Sequence, residues 1–161
     1  MLKKFHKKSK GFVLIELLAA IGVISALLAT VVATINPLER FTQVRNEQRW
    51  SDIEAISNAI NQRLIDNQGS WLCYSACSSP PCPFPPVTTP MMMGDGIGEY
   101  NICPCLVPDY LNTMPIDPIV GVPPTDSPCA NYTTGYKIGQ NPLTGAITIS
   151  SAANEKISVT R

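Results

Sequence analysis

The sequence predicts an α+β fold, and three observations predict it. A predominantly apolar run occupies 12–35. A stripe of Ile53, Ile56, Ile60 and Leu64 recurs at spacings of three and four, and the pairs Ile147/Ile149 and Ile157/Val159 alternate near the C-terminus. The first two patterns suit helices; the third suits strands with one buried face. With 161 residues there is room for one domain beyond the apolar run, and 15 Pro with 10 Gly make that domain loop-rich rather than a bundle.

The apolar run comes first. Phe12 to Ile35 holds 24 residues with Glu16 as the one charged member, and as a helix it would reach ~36 Å against ~30 Å of bilayer hydrocarbon. The residues before it carry Lys3, Lys4, Lys7, Lys8 and Lys10 with no acid. The positive-inside rule holds such an end in the cytoplasm while the C-terminal part is exported. This reads as a single membrane span, N-terminus in and C-terminus out. A carboxylate in such a helix is unfavourable by roughly 2.5–3.5 kcal/mol at a bilayer centre and by less near the interface. Either Glu16 lies close enough to the headgroups to stay hydrated, or some function requires it. His6, the single histidine, reads as one more polar residue of the basic tail.

Lys10-Gly11-Phe12 followed by Val13-Leu14-Ile15-Glu16-Leu17-Leu18 resembles the class III signal of type IV prepilins and of the pseudopilins of type II secretion. The resemblance implies that a prepilin peptidase cuts after Gly11, that the new N-terminal Phe12 is N-methylated, and that Glu16 neutralises the terminal amine of a neighbouring subunit during filament assembly. Paired in hydrocarbon, a carboxylate and an ammonium are far less unfavourable than either alone. The implied partners are the peptidase, other pilin or pseudopilin subunits, an inner-membrane assembly platform with its ATPase, and membrane lipid before assembly. The implied fold is that of type IV pilins: one long N-terminal helix, membrane-embedded in its first half and packed on a small C-terminal antiparallel sheet in its second.

On this reading residues 1–11 are a leader, 12–36 a transmembrane or filament-core helix, 37–68 its amphipathic second half and 69–161 an exported Cys/Pro-rich and β region. The precursor sits in the inner membrane and the assembled filament is periplasmic or extracellular. Pilus subunit, minor pilin for adhesion or DNA uptake, and secretion pseudopilin share this signature. The rival is an ordinary exported domain whose run is a conventional signal peptide cut after Val31-Val32-Ala33, or a plain anchor. The length of the run, beyond the usual ~7–15 residues, and Glu16 inside it stand against that rival.

Five of the 12 basic residues lie in the leader, so after cleavage seven would face 12 acidic ones, a formal balance of −5. That sign discourages binding of nucleic acid by the exported part. A kink or break is expected at Ile35-Asn36-Pro37, since proline removes a backbone donor and disfavours helical geometry in the residue before it. Leu38 to about Asn67 is then helical. The Ile53-Ile56-Ile60-Leu64 stripe needs a partner surface, while Arg40, Arg45, Glu47, Arg49, Asp52, Glu54 and Arg63 populate other faces and read as a solvated, salt-bridged surface. Asn67-Gln68-Gly69 supplies the stop, with Gly69 suited to a left-handed cap.

From Ser70 to about Pro128, Pro80-Pro81, Pro85-Pro86, Pro123-Pro124 and Met91-Met92-Met93-Gly94-Asp95-Gly96 break any long periodic element. Cys73, Cys77, Cys82, Cys103, Cys105 and Cys129 all fall in or beside this stretch. In an exported chain they read as up to three disulfides among 15 possible pairings. Zinc is disfavoured because no histidine follows Gly11 and the spacings lack paired C-x2-C knuckles.

The last third reads as an antiparallel meander of strands near 134–139, 145–150 and 156–160, whose apolar face would meet the helical stripe. Tyr110-Leu111-Asn112-Thr113-Met114-Pro115-Ile116-Asp117-Pro118 is similar to the loop that precedes the C-terminal hairpin of major pseudopilins. Some of those proteins bind calcium there, which makes Asp117 and Asp126 candidate calcium ligands. The other reading is of turn-forming aspartates beside Pro and Ser, with disulfides replacing the metal as staple. No other cofactor is expected. Asn131-Tyr132-Thr133 fits the N-glycosylation pattern. After processing there is no histidine, no Gly-x-Ser-x-Gly elbow and no phosphate-binding glycine loop, so the chain reads as a non-enzyme.

Overall fold

The computed structural model describes residues 10–34, 37–71, 73, 82–125, 127–154 and 156–161. It divides into two units, Met1–Phe41 and Thr42–Arg161. The first holds helix α1, Lys10–Thr34, a 25-residue helix that begins two residues before Phe12. Residues 1–9, and with them most of the expected basic leader, lie outside the described residues, as do residues 35 and 36, where the kink is expected.

Helix α2 runs Pro37–Asp66. Pro37 is its first residue, where the missing N–H is one that no helix could pair. Its C-terminus closes as a Schellman motif: the Gly69 N–H reaches the Leu64 carbonyl at 2.7 Å and the Gln68 N–H the Ile65 carbonyl at 3.2 Å. Gln68 (φ 56°) takes the left-handed position directly after Asn67, and Gly69 (φ 84°) follows it. The cap expected at Gly69 is therefore shared between two residues.

Four strands form one antiparallel sheet in the order β1-β2-β3-β4: Met91–Gly94, Thr133–Gln140, Ile147–Ser151 and Ser158–Thr160. The last three are the expected meander, with Ile138, Ile149 and Val159 aligned across it. β1 corrects the reading of the methionine run as a break. It pairs with β2 through Met91↔Ile138 and Met92↔Lys137, with a bulge before Gly94, and Met93 is fully buried. Three identical apolar residues carry no period-two alternation, so only the free edge of a strand 40 residues downstream makes this segment a strand. Between β1 and β2 a short helix, α3, spans Cys103–Leu106.

The core lies where the α2 stripe meets the sheet. Ile53, Ile56 and Ile60 are buried with Tyr132, Tyr136, Ile138 and Ile149, and Leu64 packs at the margin. β2 is buried at most positions because its two faces are covered differently. Thr134, Tyr136 and Ile138 belong to the core, while on the opposite face a Cβ at Gly135 would stand 2.6 Å from Asp117 Cβ and one at Gly139 would stand 2.8 Å from Val87 Cα. The two glycines thus let the loops at 85–87 and 117–121 lie directly on the strand. Gly135 also has φ 80°. Gly135→Ala is expected to destabilise the unit by roughly 1–3 kcal/mol, read as a lower denaturation midpoint. An unchanged midpoint would show that the 117–121 loop is not seated there.

Candidate functional site

Three features carry the chemistry this chain offers: the apolar helix with its one carboxylate, the disulfide node, and a buried charge pair beneath the 117–122 loop.

Leu and Ala give α1 good intrinsic helicity, and a helix satisfies its own backbone hydrogen bonds wherever no water is present. The Ser25 and Thr30 hydroxyls return to carbonyls of the same helix, Ile21 and Leu27, each at 2.7 Å, so neither adds an unpaired polar group to its surface. Its large apolar side chains are exposed on every face, from 50% at Ile21 to 73% at Val32. Val13–Val32 is long and apolar enough to cross a membrane, and none of it is buried within the chain. A helix apolar all round is stable only inside lipid or against other apolar helices. Glu16 is exposed on it, and among the described residues has no hydrogen-bonding or charged partner. Gly11 and Phe12 lie in the first turn of α1.

The disulfides converge on α3. Cys73 pairs with Cys105 and Cys103 with Cys129, with Cα separations of 5.7 and 5.5 Å, the usual span for such a bond. Cys82 is disulfide-bonded as well, and no described cysteine is free. Cys77 lies outside the described residues. The closed segments of 32 and 26 residues correspond to roughly 3–4 kcal/mol each in the chain-entropy picture. Arg63 ties the node to α2: its Nη1 donates to the Cys105 carbonyl at 2.6 Å, and its guanidinium lies over the rings of Trp71 and Tyr110, 5.6 and 5.9 Å from their centroids. Thiol alkylation of non-reduced protein followed by intact mass should leave Cys73, Cys82, Cys103, Cys105 and Cys129 unlabelled. Labelling of Cys73, Cys103, Cys105 or Cys129 would break the node.

The charge pair corrects the picture of α2 as carrying only solvated charge. Arg49 (5% exposed) and Asp52 (7%) are buried. Arg49 Nε donates to Asp117 Oδ2 at 2.6 Å and Nη2 to Oδ1 at 3.3 Å. Asp117 Oδ1 also accepts the N–H groups of Ile119 (2.8 Å) and Val120 (3.1 Å), so the aspartate folds its own loop while it pairs with α2. Burial pushes the Asp117 carboxyl up, but the hydrogen bonds from Arg49, Ile119 and Val120 outweigh it and hold the group below its ordinary range. The hydrogen bond to Asp117 likewise holds Arg49 above its ordinary value. Asp52 accepts from Tyr136 Oη at 2.6 Å and from Gln48 Nε2 at 2.7 Å. The Tyr136 hydroxyl is pushed upward, by burial first and by this bond second.

Of the two candidate calcium ligands, Asp117 already has both oxygens engaged by a guanidinium and two N–H groups, which fits the turn-forming reading. Asp126 lies outside the described residues. No three His, Cys, Asp or Glu side chains cluster as a metal site requires among the described residues. Asn131 is exposed with φ 54°, next to the buried Tyr132, and the Thr133 hydroxyl is within 3.0 Å of both Glu99 carboxylate oxygens.

Comparison of the chain with known protein families, with curated proteins and with solved structures finds no match.

Proposed function

We propose that the chain is a structural, non-enzymatic subunit of a type IV pilus-like or type II secretion pseudopilus filament, cut by a prepilin peptidase after Gly11 and N-methylated on Phe12. The observation that carries this is Glu16: one carboxylate, four residues after Phe12, in an otherwise apolar span whose every face is exposed. In this reading the precursor spans the inner membrane with its lysine-rich end in the cytoplasm. α1 then leaves lipid for a filament core made of the same helix from other subunits, driven by the assembly platform and its ATPase. Glu16 pairs there with the terminal amine of a neighbour, which removes two unpaired charges from an apolar environment at once.

Mass spectrometry of the mature N-terminus tests the processing step. The expected species begins at Phe12 and carries one added methyl group. A chain beginning at Thr34 would mean an ordinary signal peptide, and an intact Met1 would mean a plain anchor; either result discards the pilin-like reading.

A further inference from the structure

The pairing of the cysteines has a consequence that their number alone does not. In chain order the six are Cys73, Cys77, Cys82, Cys103, Cys105 and Cys129. The first pairs with the fifth, passing over three others, and the fourth pairs with the sixth. The two bonds are interleaved: neither loop closes without enclosing one cysteine of the other pair.

We propose that this chain is an obligate substrate of a thiol–disulfide isomerase, a catalyst with a free thiolate that reshuffles bonds formed first between neighbouring cysteines. The proposal rests on the export reading, in which the chain emerges N-terminal end first and meets a disulfide donor while the later cysteines are still inside. The donor takes two electrons and two protons from the first pair available, Cys73 and Cys77, and leaves as a dithiol. Loop closure favours the same error without export. Cys73 and Cys77 are four positions apart, and the native partner is 32 away. Three doublings of loop length amount to a bias of about 20-fold toward the short loop.

Exchange repairs the error without further oxidant. The isomerase thiolate attacks the Cys73 sulfur of a Cys73–Cys77 bond, forming a mixed disulfide and releasing Cys77 as thiolate. The Cys105 thiolate then attacks the same Cys73 sulfur, forming the native bond and returning the catalyst thiolate unchanged. The end point is protected, because Cys73, Cys103 and Cys105 are buried in the core. While Cys105 is unpaired α3 is not held in the core, so Ile102 and Leu106, both fully buried when folded, stay accessible. Those side chains give an isomerase cleft an apolar target.

The test expresses the full chain in two exporting bacterial strains that share a thiol oxidase, one with and one without a periplasmic isomerase. Thiols are trapped by alkylation and the bonds mapped by mass spectrometry after cleavage at aromatic residues, since no Lys or Arg lies between Arg63 and Lys137. Without the isomerase the link between the Cys73 peptide and the peptide holding Cys103 and Cys105 should fall by about ten-fold, within the closure bias, and a Cys73–Cys77 link should replace it. In parallel, purified reduced full chain in detergent is oxidised by a disulfide donor with no other thiol added. It should acquire the native bonds only when reduced isomerase is added. Native bonds at equal yield in both strains, or from the donor alone, would overturn the proposal. Six free thiols in both strains would instead count against export, and the detergent arm would still decide whether exchange is required.

Discussion

Replacing Arg49 by alanine is expected to lower the stability of the Thr42–Arg161 unit by about 3–5 kcal/mol, because it strands the Asp117 carboxylate in the core without its cation. Denaturant unfolding of the full chain in detergent, followed by the fluorescence of Trp50 and Trp71, should show a lower midpoint with an unchanged slope. Combining Arg49→Met with Asp117→Asn removes both charges while keeping an acceptor for the Ile119 and Val120 N–H groups, and should recover much of the loss. The pair also sets an acid limit. The folded pKa of Asp117 lies below its ordinary 3.8, so its contribution is fully present above that value and disappears as the pH falls through the folded one. The parent protein should lose stability across that window, and Arg49→Ala, which has already lost the pair, should lose less. A loss below about 1 kcal/mol on Arg49→Ala would mean the pair is no better than a surface contact.

The second large effect concerns the filament assembly proposed above. Glu16→Val should insert into the membrane at least as well as the parent, since it removes a carboxylate unfavourable by roughly 2.5–3.5 kcal/mol at mid-bilayer, yet filament incorporation should fall to background. Glu16→Gln preserves shape and polarity without charge, and should fail similarly if the pairing is ionic. Comparing sheared filaments with the membrane fraction reads both steps. A normal filament yield from either variant would remove the carboxylate from the mechanism.

What could be read along the chain was whatever depends on near neighbours in sequence. The α2 stripe, its stop at Asn67-Gln68-Gly69 and the alternation in β3 are patterns with a short period, and the structure places each within a residue or two. α1 was legible for a related reason: a helix apolar on all faces requires no knowledge of what it packs against. The remainder depends on partners far along the chain. Arg49 looks like any exposed helical arginine until Asp117, 68 residues on, arrives beside it. β1 exists only because β2 has a free edge. The cysteine pairing was one of 15 until the core decided which sulfurs meet. Nothing near Gly135 and Gly139 in sequence announces that two loops rest on the strand there.

The two outer strands of the sheet are also its shortest. β1 has four residues and a bulge, and its outer side is occupied by Tyr100, which donates its N–H to Met92 at 2.8 Å and accepts the Gly94 N–H at 3.3 Å. β4 has three residues. A sheet finished in this way offers little template for adding a foreign strand. Wherever many copies are held side by side at high local concentration, these domains can therefore crowd without merging their sheets, and association is left to surfaces other than the backbone edges.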